Sequence, residues 1–111
     1  MTIGQVMKSL RKKTKTNSIE DMEKMYLDAT DNNLNMLVPW YLMAAFAYYV
    51  QDNPILPDHT FDHMAKKMLS HWEEIDHFHK DKITKDDLAA GTYLGEYPSR
   101  VKYAVESVRG T

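Results

Sequence analysis

Leu34-Asn35-Met36-Leu37-Val38-Pro39-Trp40-Tyr41-Leu42-Met43-Ala44-Ala45-Phe46-Ala47-Tyr48-Tyr49-Val50 is the longest apolar run in this chain of 111 residues. It is shorter than a bilayer requires, and Asn35 and Pro39 interrupt it. It also lies mid-chain, where neither a signal peptide nor a membrane anchor is expected. Pro39 suits the first turn of a helix, where its missing amide costs nothing. From Trp40 to Val50 every residue is apolar or aromatic, so the run predicts a helix covered on nearly all sides. Ala44, Ala45 and Ala47 let neighbouring backbones come close. Such a helix needs other helices around it.

The rest of the chain supplies them. Ile3, Val6, Met7 and Leu10 recur at the helical period, and so do Ile19, Met22, Met25, Tyr26 and Ala29. Ser18 with Asp21 reads as a capping pair for the latter helix. Thr30-Asp31-Asn32-Asn33 reads as a turn. Phe61, Met64, Ala65, Met68, Leu69, Trp72 and Ile75 predict one long amphipathic helix, with Asp58 at its N-cap. His59, His63, Lys66 and Ser70 fall on its wet face. Thr84 with Asp87 predicts a short helix stopped by Gly91, and Pro98-Ser99 opens a last helix along Val101, Ala104, Val105 and Val108. No strand alternation is present. The expectation is an all-α fold, a compact helical bundle of about five helices around the central apolar helix, as a single domain over residues 1–111.

Composition narrows the function classes. Net charge is -2 and the chain has no cysteine, which excludes a disulfide framework, a thiolate zinc site and a cysteine nucleophile. A reducing, cytoplasmic setting is the matching expectation. Lys8, Arg11, Lys12, Lys13 and Lys15 make a basic run without an acid. That Lys8–Lys15 run leaves nucleic-acid phosphates open as a partner, but it has no interleaved aromatics, and a solvated helix face explains it more simply.

Tyr48-Tyr49-Val50-Gln51-Asp52-Asn53-Pro54-Ile55-Leu56-Pro57-Asp58-His59-Thr60-Phe61-Asp62 carries the chemistry. Two helices joined through the proline turn would bring Tyr48 and Tyr49 beside Asp58 and Asp62. Ring faces attract a flat cation by about 0.5–2 kcal/mol. Carboxylates add Coulomb attraction and accept hydrogen bonds from hydroxyls or a carboxamide. A purely structural account stands beside this: Asp58 as a cap, Asp62 on the positive end of the helix, and Tyr48, Tyr49 and Phe61 as core residues.

The same residues resemble segment Ia of the NAD-dependent DNA ligases over about residues 38–75. The family pattern is a tyrosine, then a tyrosine or histidine, then D-x-P-x-x-x-D-x-x-Y-D. Tyr48, Asp52, Pro54, Asp58 and Asp62 match it in type and spacing. The resemblance implies binding of NAD or of its nicotinamide mononucleotide (NMN) half through Tyr48, Tyr49, Asp58, Phe61 and Asp62. Phe61 stands where the family has a tyrosine, so one hydroxyl is lost. The ligases' K-x-D-G lysine motif is absent, because Lys85-Asp86-Asp87-Leu88 has neither the spacing nor the glycine. Tyr93 to Tyr103, with the motif, also resembles small ligase-like proteins of tailed marine phages, which implies a viral protein in a host cytoplasm.

Other signals carry less. His59 and His63 at i, i+4, with Asp62, could share a metal, but they sit on the solvated face and make surface histidines. Glu73, Glu74, Asp76, His77 and His79 read as a charged helix end. Methionines on the helical stripes read as core filling. No catalytic triad, phosphate loop or nucleophile elbow is present. The chain therefore reads as a non-catalytic NMN- or NAD-binding module, with a small viral or accessory protein-interaction domain that keeps the hairpin as scaffold as the alternative.

Overall fold

The computed structural model describes residues 17–93 and 95–110. The expected helix over Ile3 to Leu10 and the basic run Lys8–Lys15 lie outside them. Within them the fold is an all-α helical bundle, and no strand occurs among the described residues.

Helix α1 (Ile19–Asn32) begins at a capping box. The Ser18 hydroxyl accepts from the Asp21 amide at 3.1 Å, and the Asp21 carboxylate accepts from the Ser18 amide at 3.1 Å. Its buried residues are Met22, Tyr26 and Thr30, one turn apart. Ile19 and Met25, expected on this stripe, are exposed instead. The helix also runs through the expected turn to Asn32. Thr30 can be buried there because its hydroxyl donates to the Tyr26 carbonyl at 2.8 Å.

Helix α2 (Leu37–Ala45) follows a short 3₁₀ turn and buries every residue except Pro39, which is half-buried. It does not continue as an α-helix to Val50. Phe46–Val50 is a π-helical turn, with the Gln51 amide donating to the Phe46 carbonyl five residues back at 3.1 Å. Beyond Ala47 the chain leaves the core, and Tyr48, Tyr49 and Val50 are exposed rather than covered. Asp52 then takes the left-handed conformation, φ 51°, which Asp tolerates better than most residues. Ile55 and Leu56 return to the core.

Helix α3 (Asp58–Ser70) is shorter than expected. His71 breaks it at φ -110°, ψ 17°, and a separate 3₁₀ turn carries Trp72, so Ile75 reaches the core from beyond the helix. Thr60, Met64, Ala65 and Met68 form its inner face, and the Thr60 hydroxyl donates to the Glu23 carboxylate of α1. Helix α4 (Lys85–Ala90) has the expected Thr84/Asp87 capping box and ends at Gly91, whose φ of 68° places it in the left-handed region.

Helix α5 (Ser99–Arg109) buries Val101 and Val105 against α2. Asn17 satisfies its last carbonyls: the backbone amide donates to Arg109 O and the side-chain amide to Val108 O, each at 2.7 Å. The Arg109 guanidinium donates to the Gln51 side-chain oxygen and the Asn53 carbonyl, and so ties the last helix to the turn before α3.

Two buried phenols, Tyr26 and Tyr41, and the half-buried Tyr97 constrain the fold's pH range. Burial pushes the Tyr41 phenol above its ordinary value of 10.0 and raises those of Tyr26 and Tyr97 to about 12. A folded-state value above the unfolded one means that this stability is fully present below pH 10 and is lost as pH climbs toward the folded values. The melting temperature is expected to fall above pH 10, and phenolate absorbance should rise together with unfolding. Full ionisation of Tyr41 with the fold intact would contradict this.

Candidate functional site

The π-turn and the first turns of α3 face each other across the Gln51–Pro57 connection and bound an open cleft of about 450 Å³. Tyr48, Tyr49, Asp58, Phe61 and Asp62 all line it, together with His59 and Gly91. The five residues singled out from the sequence therefore share one cavity.

Its aromatic wall is layered. Tyr41 in the core stacks on Phe61 with centroids 5.0 Å apart and planes at 11°. Phe61 is parallel to Tyr48 within 4°, at 6.5 Å, and Tyr49 meets Tyr48 edge-on at 4.9 Å. Phe61 thus links the core to the surface rings through contacts that aromatic pairs favour. The π-turn is why the tyrosines stand outside. A regular α-helix would keep Tyr48 in register with Tyr41, seven residues earlier, on the covered face.

Tyr49 is held from the opposite side. Its hydroxyl donates to the Gly91 carbonyl at 3.2 Å, and Tyr41 donates to the Thr92 carbonyl at 2.7 Å. Desolvation, with Tyr48 as a smaller cause, raises the Tyr49 phenol above its ordinary range, so it remains a neutral donor at neutral pH. The C-terminal end of α4 is fastened across the cleft in this way.

Asp58 is not the N-cap. Pro57 occupies that position in extended geometry, and its carbonyl accepts from the Thr60 and Phe61 amides at 3.0 Å. Asp58 is the first helical residue and makes no capping bond. It still benefits from the positive helix end, but Asp62 lies a turn further on, where that benefit has faded. Neither carboxylate has an ion pair or a hydrogen bond among the described residues. Like charges at i, i+4 destabilise a helix by about 0.2–0.5 kcal/mol. The cleft therefore contains two uncompensated anionic groups beside exposed ring faces.

This chemistry suits a flat cation carrying hydroxyls. Ring faces of this kind would attract a flat cation, and the two carboxylates can accept hydrogen bonds from hydroxyls. A phosphate has one compatible lining side chain, His59. The lining therefore offers more to a hydroxyl-bearing cation than to a phosphate. No group of three or more His, Asp or Glu that could hold a metal occurs among the described residues, and His59 and His63 are both exposed.

His59 and Gly91 were absent from the sequence-derived set. His59 follows Asp58 directly and could have been included on adjacency. Gly91 had no local signal, because it reaches the cleft from 42 residues beyond Tyr49. A Cβ at Gly91 would lie 3.5 Å from the Asp62 carboxylate, an ordinary contact, so Gly91→Ala meets chiefly backbone strain. Its expected cost is about 1–2 kcal/mol by chemical denaturation, with Gly91→Asn losing less. A loss well beyond that range would mean that the glycine is required for packing. No protein-family model, curated protein or solved structure matches this chain.

Proposed function

We propose that the chain is a non-catalytic binding module for a flat, hydroxyl-bearing cation, with NMN or NAD engaged through its nicotinamide riboside end. One observation carries this: Asp58 and Asp62 stand unpaired, four residues apart, against the exposed Tyr48–Tyr49 edge of one cleft. The arrangement costs stability in the free protein, and a bound cation would relieve it. Tyr48 would offer a ring face, the two carboxylates would balance charge and accept from the ribose, and Phe61 would hold Tyr48 against the core. The NAD-ligase resemblance names the same five residues and supports the same ligand.

The alternative is an accessory protein-interaction domain, of viral or other origin, in which the hairpin is only scaffold. Contiguous exposure of Tyr48, Tyr49 and Val50 favours it, since aromatic edges are common in interfaces. No helix among the described residues is long and apolar enough to cross a membrane.

Titration with nicotinamide riboside and with NMN separates the two. A ligand of the native state raises the melting temperature by mass action, and the riboside is expected to act at least as strongly as NMN. Asp62→Asn should change the free protein's stability by less than about 0.5 kcal/mol, because relief from Asp58 at i−4 opposes the loss of Lys66 at i+4, while it weakens the ligand. Weaker binding with stability unchanged marks a functional carboxylate. Absence of any shift with either ligand at millimolar concentration would favour the scaffold alternative.

A further inference from the structure

A second cavity lies on the other side of the central helix. Pro39 and Met43 on the face of α2 opposite Tyr41, with Met36 of the preceding 3₁₀ turn, line it together with Val101 and Ala104 of α5 and with His77, Phe78 and His79. The space is about 190 Å³, roughly six water molecules' worth. It is too small for a nucleotide and large enough for a small organic acid.

We propose that this cavity is a binding site for a small molecule with an apolar body and one carboxylate. The floor and walls are methionine, proline, valine and alanine, which favour an apolar body. No Asp or Glu lines it, whereas Arg100 stands at its edge with the guanidinium carbon 5.8 Å from the Phe78 ring centroid. A guanidinium matches a carboxylate in charge and fork geometry.

The imidazoles supply the second reason. His79 Nε2 is buried without a hydrogen-bond partner, a costly state that natural structures seldom leave unexplained. The His79 backbone amide donates to His77 Nδ1 at 3.1 Å, so that atom is already used as an acceptor. Lys82 and Arg100 place positive charge around His79, Asp81 opposes them, and Asp76 lies beside His77. Burial holds both imidazoles below their ordinary value, so they are chiefly neutral at pH 7. The neutral imidazoles and the Lys82 and Arg100 cations thus flank an apolar opening, which suits an anionic head group on an apolar body. Phe78, exposed between the two imidazoles, makes a wall of the opening.

Benzoate is a suitable probe, with benzamide as its neutral isostere and inorganic phosphate as a bare anion. Saturable shifts of the His79 ring resonances in NMR are expected with benzoate alone. The His79 titration midpoint should move up when benzoate is present, because a bound anion favours the imidazolium. Arg100 is exposed in the first turn of α5, so Arg100→Gln should fold normally and weaken benzoate about tenfold, with Arg100→Lys intermediate. Asp58→Asn should leave benzoate binding unchanged, which separates this cavity from the acidic cleft. An equal response to benzamide or to phosphate, or no saturable shift with benzoate, would overturn the proposal.

Discussion

Burial of the Leu37–Ala45 helix is the constraint on which the rest of the structure depends. Each large apolar side chain it removes from water contributes about 1.5–3 kcal/mol, set against the entropy of ordering the chain. Leu37, Val38, Tyr41 and Leu42 are fully covered, and no continuous face is left for solvent. Helices α1, α3 and α5 must therefore close around it. The chain can reach the surface only at its ends. At the C-terminal end it does so through a π-turn, and the aromatic edge of the cleft is the direct result.

Long-range ties then hold that edge in place. Arg109 bonds to the turn at Gln51 and Asn53, Tyr49 reaches Gly91, and Tyr41 reaches Thr92. Asp52 accepts a left-handed backbone within the same turn. Phe61 bridges Tyr41 to Tyr48, so the stack begins in the core and finishes at the surface of the cleft.

The two cavities differ in chemical character. The hairpin cleft joins ring faces to unpaired carboxylates, and the cavity beside α5 joins apolar walls to imidazole and guanidinium groups. Such groups would suit a cation in the first and an anion in the second. The second lies against α2, the first is bounded by the π-turn that follows α2 and by the start of α3, and each takes its charged groups from a different helix. One rigid hydrophobic element thus supports two separate polar environments.

The sequence by itself determined the parts governed by contacts within a turn or two. Ser18 with Asp21 and Thr84 with Asp87 form the expected capping boxes, the apolar run is the buried centre, and Gly91 stops α4. The composition of the cleft was also legible, because Tyr48, Tyr49, Asp58, Phe61 and Asp62 lie within one hairpin. Tertiary structure decided the rest. The unbroken apolar run from Trp40 to Val50 implied a helix covered to its end, but the π-turn brings Tyr48 to Val50 to the surface. Asp58 had the type and position of a cap, but Pro57 took that place and left its carboxylate free. Gly91 and the Met43–Arg100 cavity depend on groups 42 or more residues apart in the chain. Helical periodicity reports only on neighbours three and four positions away, so such pairings emerge only when the helices pack.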